Sequence, residues 1–445
     1  MGRVIGALAA LVLIIALIAA GWYYRPWSPY SPARITALDD PEEFAQTFQR
    51  MDEILPSRRI EAVNPQPLPE ALAPLDATYS FNGETRTIDD FMSSARTLGI
   101  VALRDGVVVG ERYGQGADAQ TRFTSWSVAK SFVATLIAMA MEEGLIDSLD
   151  DNAAKYAPVF EGTAYGETSL RHLLMMSGGV EFVEEYSEDS ESDIRPFFFN
   201  AFILGRDVDV MAGEIVRDRP AGRDLHYVSP NTHVLSAVVR NVFDDTLAGI
   251  VEDRVWTPLG MTSDATWLTN VDNERAIEVG YCCLQATTRD FARFGQFYLQ
   301  DGVWNNERLV PEGWVERATR PNAPFQEPGP EARYAPRGYG LHFWIPPDAE
   351  REFFMAGVYG QYVWVDRDRG VVVAMNAGDP DWGEREEEAF ALMRAIVQSV
   401  APPDESEGEP DAEPIGAADG DQAGPEPESS IDSNPAASEP REPPQ

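Results

Sequence analysis

Ser127 and Lys130 stand three residues apart in TSWSVAKSFVATLIAMAMEEG, Thr124 to Gly144. Lys130 is one of only two lysines, with Lys155, among 35 basic residues; all the others are arginines. Residues i and i+3 share a helix face, so the Ser127 hydroxyl and the Lys130 amine can meet. The stretch after Lys130 is apolar for about three turns, which predicts burial, and a buried lysine near a positive helix end has its pKa lowered. A neutral amine can take the proton from a serine hydroxyl, whereas a guanidinium stays charged. The pattern therefore points to an activated serine, with the Ser127 N–H at the helix start as half of an oxyanion hole. Residue types alone equally allow Ser127 as an N-cap and Lys130 as a solvated lysine.

The elements that must position this pair are readable around it. The 3.6-residue periodicity predicts a helix from Thr124 to Gly144, whose glycine suits a left-handed C-cap. GIVALRDGVVVGERYG, Gly99 to Gly114, reads as two strands joined at Asp105-Gly106, a hairpin signal. Near the other end, REFFMAG, YGQYVWVD and VVVAMN read as three strands, the last two linked by Asp366 to Gly370. A final amphipathic helix, EREEEAFALMRAIVQSV, closes the unit. The expected fold class is α/β of the α+β kind. One antiparallel sheet is formed by N- and C-terminal strands and flanked by helices, and a mostly helical lobe is inserted between them.

The ends differ in character. Val4 to Gly21 is an uncharged apolar run near the length that spans a bilayer, followed by the aromatic cluster WYYRPW. Residues 1–24 are expected to be a transmembrane anchor, the alternative being a cleaved signal segment. The catalytic domain would then sit on the periplasmic side of a bacterial inner membrane, or be secreted. Residues 25–78 are proline-studded and read as a spacer, 79–401 as the folded domain, and 402–445 as a disordered acidic tail. A net charge of −38 argues against nucleic acid or an anionic membrane surface as a partner. Cys282 and Cys283 are adjacent, and neighbours seldom reach disulfide geometry, so a buried thiol pair is expected. The four histidines show no ligand spacing, and no metal or other cofactor is implied.

Four segments carry a resemblance. TSWSVAKSF, LRHLLMMSGG, PAGRDLHYVSPNTHVL and AGVYGQYVWVD follow the order and approximate spacing of the β-lactamase-related serine hydrolases. That superfamily includes class C β-lactamases, D-alanyl-D-alanine peptidases, family VIII-type esterases and 6-aminohexanoate-dimer hydrolases. The run from Cys282 to Val310 looks most like the last branch. The resemblance implies Ser127 as nucleophile, Lys130 as its base and Tyr227 as a proton shuttle to the leaving group.

Two departures bear on substrate. Where relatives have Tyr-x-Asn, this chain has Tyr227-Val228-Ser229, which places Ser229 as the hydroxyl contacting lysine and substrate. The third motif, Lys-Thr-Gly in many relatives, is Val358-Tyr359-Gly360, with the Gln361 N–H as the implied second oxyanion donor. The cation that would hold a substrate carboxylate is gone, which argues for a neutral small ester or amide. Tyr186 stands where the amide-hydrolysing branch has a tyrosine, and the acidic loop EEYSEDSESD around it reads as a solvated rim. The rival readings are a β-lactamase or peptidase, and a non-catalytic binding module of the same fold. Oligomeric state is not legible. Lys130→Arg keeps the charge and removes the proton acceptor, so turnover is expected to fall to background in an ester-hydrolysis assay.

Overall fold

The computed structural model describes residues 2–28, 30–186 and 190–402. The expected acidic tail, apart from Pro402, lies outside them, as do residues 187–189 of the acidic loop. A seven-stranded antiparallel sheet runs in the spatial order Gly338–Tyr339, Trp344–Ile345, Glu352–Gly357, Gln361–Asp366, Val371–Ala377, Thr97–Arg104, Val107–Tyr113. Early and late strands meet where Val371–Ala377 pairs with Thr97–Arg104, from Val371 opposite Arg104 to Ala377 opposite Thr97. The hairpin at Asp105-Gly106 forms, and both turn residues take positive φ (49° and 81°), the handedness that suits twisted strands.

The two faces of the sheet are covered by helices, as sheets buried on both sides require. On one face lies the C-terminal helix Glu386–Val400, with Phe390 against Phe354 and Trp364. On the other lies Thr288–Leu299. Its Gly295 lets the helix approach closely, because a methyl there would press on Val363 and Val372. Behind this helix the core continues into Ala129–Glu142, which is buried along nearly its whole length, and Phe132 stacks on Phe294 with ring centroids 3.7 Å apart. The helix Ser229–Phe243 of the inserted lobe packs beside it.

Residues 25–78 are not a spacer. From Ser31 onward much of the segment is built into the domain. Phe44, Phe48, Met51, Leu55 and Ile60 are buried, so the apolar positions of FAQTFQRMDEIL serve the main core and not an isolated helix. Strand Ser57–Ile60 pairs with Ala265–Leu268 in a second, four-stranded sheet, which continues through Leu284–Thr287 to Arg122–Thr124. Prolines such as Pro32 and Pro41 open short helical turns, positions where the missing N–H costs nothing. Before this segment, Gly2–Tyr24 forms one exposed apolar helix, long enough to cross a membrane.

The cysteines also depart from expectation: Cys282 and Cys283 form a disulfide between neighbours. Cys283 takes φ 77°, a left-handed conformation that lets consecutive side chains turn to one side. A chain starting at Tyr79 is expected to lack the cooperative melt shown by one starting at Arg25. Phe48→Ala in the full chain should cost about 3–5 kcal/mol in urea denaturation.

Candidate active site

The path to Ser127 begins in the second sheet. Strand Arg122–Thr124 is paired with Leu284–Thr287, and Ser125 is pinned at both ends. Its N–H donates to the Leu284 carbonyl (2.7 Å), while its Oγ accepts from the Leu284 N–H (3.0 Å). Trp126 then takes φ 41°, a left-handed conformation disfavoured for so large a side chain, which costs on the order of 1–3 kcal/mol. Ser127 follows inside a single 3-10 turn, Trp126–Val128, and the α-helix starts only at Ala129. Ser127 is therefore presented by a kink between strand and helix, and its side chain caps nothing.

Lys130 is 2% exposed. Its Nζ donates to Ser127 Oγ at 2.9 Å and to the Tyr281 carbonyl at 2.8 Å, so the two expected partners do meet. The amine lies over the Tyr227 ring (5.1 Å to the centroid) and the Tyr281 ring (5.6 Å). Burial lowers its pKa to about 8, against a smaller opposing pull from the Glu184 charge. Tyr227 enters from the turn before Ser229–Phe243, stacked on Trp344, with its backbone N–H donated to the Tyr334 hydroxyl. Burial raises the pKa of its phenol well above the usual phenol range, against a smaller opposing effect of the Ser127 side chain.

Ser229 departs from expectation. It is buried, and both its N–H and its hydroxyl are bonded to Glu184 and not to Lys130. Its N–H donates to Glu184 Oε2 (2.5 Å) and its Oγ to Glu184 Oε1 (2.8 Å). A serine side chain is too short to project as an asparagine amide would, and this carboxylate takes the hydroxyl instead. The solvated-rim reading fails at the same residue, since Glu184 is only 8% exposed. Tyr186 is half-buried, its phenol donated to Glu184 Oε1 (2.5 Å) and its ring edge-on to Trp382.

The third motif is also re-sorted. Gly360 (φ 89°) is a turn glycine packed on Ala377. The Gln361 side chain points inward, with Nε2 donating to the Ala377 carbonyl (2.7 Å) and Oε1 accepting from Asn376 (3.1 Å). The strand residue beside the Ser127 amide is Gly357, where a β-carbon would come within 2.9 Å of that nitrogen. Gln361 is its cross-strand partner, one strand further away. Sequence reasoning thus missed Glu184, Gly357 and the Tyr281 carbonyl. It also missed an aromatic wall in which Trp126 and Tyr359 pack on Phe44 and Phe48 from the N-terminal segment.

The Beta-lactamase family model matches residues 85–398. The chain belongs to the Beta-lactamase family. A curated relative, the 6-aminohexanoate-dimer hydrolase of Paenarthrobacter ureafaciens, is 26% identical over 343 residues, which cover 75% of this chain and 86% of that protein. A solved Bacillus anthracis structure, provisionally assigned as a 6-aminohexanoate-dimer hydrolase, superposes with a TM-score of 0.72 at 24% identity. It covers 82% of this chain and 96% of its own. EstCE1, a hydrolase with promiscuous acyltransferase activity, shares the fold more distantly, with a TM-score of 0.54 and 16% identity over 69% of this chain and 96% of that one. The expected superfamily and the mixed helix-and-antiparallel-sheet fold therefore both hold.

With a lysine pKa of about 8, reaction at Ser127 should rise with pH through that value as the amine loses its proton. Below it, the rate should fall about tenfold per pH unit. A kcat/KM profile that is flat from about pH 6 to about pH 9 would rule Lys130 out as the base.

Proposed function

We propose that this protein is a serine hydrolase that cleaves a neutral ester or amide through an acyl-enzyme on Ser127. The observation that carries the reading is the buried Lys130 amine at 2.9 Å from the Ser127 hydroxyl. Lys130 takes the serine proton as Oγ bonds to the carbonyl carbon, and the carbonyl π pair moves onto oxygen. The Ser127 N–H and the backbone N–H groups of the neighbouring Gly357–Val358 segment receive that charge. Tyr227, whose phenol stays protonated at neutral pH, then donates to the leaving group as the tetrahedral species collapses. Water releases the acid by the same steps in reverse order of proton transfer. Of the two groups facing Ser127, only the lysine has its proton affinity brought near neutrality, so the roles divide as stated.

The substrate class follows from what the cleft offers. The strand that ends at Gly357 beside Ser127 reads Met355-Ala356-Gly357 and offers no cation ahead of that glycine. The guanidinium that acts on Tyr227, Arg337, is already engaged by Glu386 (2.8 Å) and by the face of Trp344. A carboxylated substrate would find no free cation among these groups. The apolar helix Gly2–Tyr24 supports attachment to a membrane with the domain exported.

A fluorophosphonate probe should label Ser127 in the wild type and not in Ser127→Ala. Short-chain esters and linear amides should be turned over faster than a chromogenic cephalosporin. A well-folded wild type that stays unlabelled would support a binding module, and faster cephalosporin cleavage would support a β-lactamase.

A further inference from the structure

Glu184 is a buried carboxylate placed against the reactive centre, and the chemistry above leaves it without a task. Among the described residues it has no ion-pair partner within 4.0 Å. Its three hydrogen bonds come from neutral donors: the Ser229 N–H, the Ser229 hydroxyl and the Tyr186 phenol. Ser229 is two residues from Tyr227, and Lys130 lies over the Tyr227 ring. A carboxylate fixed there by three donors is an expensive arrangement unless a positive charge forms nearby, because burying an unpaired charge costs several kcal/mol.

We propose, building on the acyl-enzyme reading, that Glu184 is a positioning residue whose negative charge offsets the positive charge Lys130 acquires whenever Ser127 is deprotonated. The carboxylate's hydrogen bonds go to Tyr186 and Ser229 and not to Ser127 or Lys130, so it acts through the field at the amine. Ser229, at the place of the asparagine of related motifs, holds the carboxylate in register with Tyr227, which gives its substitution a purpose.

The surroundings leave few competitors for this role. Lys130 is faced by Tyr227 from the turn before Ser229–Phe243, by Tyr281 from the loop before Leu284–Thr287, and by His342. Burial holds His342 neutral, with a pKa pushed down to about 3. Around Glu184 stand the phenols of Tyr165, Tyr186, Tyr334 and Tyr339, all with raised pKa values and therefore uncharged near neutral pH. Two guanidiniums act on these phenols: Arg217, tied to the Gly178 and Ala164 carbonyls, on Tyr165, and the exposed Arg333, over the ring of Tyr334, on that phenol. Arg337, which acts on Tyr227, is tied to Glu386. The Glu184 charge raises the proton affinity of Lys130, in opposition to burial.

The test is the pH dependence of fluorophosphonate labelling of Ser127 in the full chain, with folding checked by thermal melting. Glu184→Gln is expected to move the ascending limb to lower pH and to lower the alkaline plateau by about tenfold, with a smaller loss at acid pH. Ser229→Ala removes one neutral donor, leaves the carboxylate less neutralised, and should move the limb to higher pH. A limb unmoved in both variants, whatever their absolute rates, overturns the proposal, since a merely structural role would lower rates without shifting it. Should Glu184→Gln fail to melt cooperatively, Ser229→Ala decides alone: a limb at the wild-type position, or below it, overturns the proposal. Failure of the underlying reading looks different, because the wild type itself would then go unlabelled.

Discussion

One amine in a dry niche is the constraint on which the structure depends. An ammonium excluded from water is costly, and the protein meets that cost with two oxygen acceptors and two aromatic faces around Lys130. None of these neutralises it outright, so the amine is left near the balance point between its two protonation states. An arginine could not occupy this balance, and a solvent-exposed lysine would not reach it. The rarity of lysine elsewhere in the chain is in keeping with a position where the residue type matters.

The groups around that amine come from distant parts of the chain, which is why the whole fold is needed to hold it. The strand-to-helix kink delivers Ser127 and Lys130 together, and the inserted lobe delivers Tyr227. The loop ending in the Cys282–Cys283 disulfide delivers the Tyr281 carbonyl, and the following residue, Leu284, grips Ser125. A single short loop thus braces both the lysine and the turn that carries the serine. The hairpin of Glu352–Gly357 and Gln361–Asp366 closes the arrangement with Gly357, where the lack of a side chain admits the Ser127 turn.

What could be read from the sequence was what local rules determine. Ser127 and Lys130 follow from helix spacing, the Asp105-Gly106 hairpin from turn chemistry, and the three late strands from alternation. The misreadings have a common physical source, in that tertiary contacts gave a new meaning to locally polar or irregular segments. The proline-studded stretch around Phe48 looked like a spacer because its buried partners lie far along the chain, at Trp126 and Tyr359. Glu184 looked solvated because its loop is acidic, and only the fold brings Ser229 to it. Gln361 looked like an oxyanion donor because motif spacing counts residues along a strand and cannot show which strand lies beside the serine. The cysteines were judged by general geometry, which a single left-handed residue evades.

The aromatic wall carries a mechanical consequence. Phe44, which packs on Tyr359 at 4.5 Å, lies only twenty positions after Tyr24, the last residue of the apolar helix. Several of those positions are wound into short helical turns, so little slack remains between the two. If that helix is held in a bilayer, the cleft at Ser127 cannot roam at the end of a flexible leash. It would patrol a thin layer just above the lipid, and substrates that linger in that layer would meet it far more often than those dispersed through the bulk.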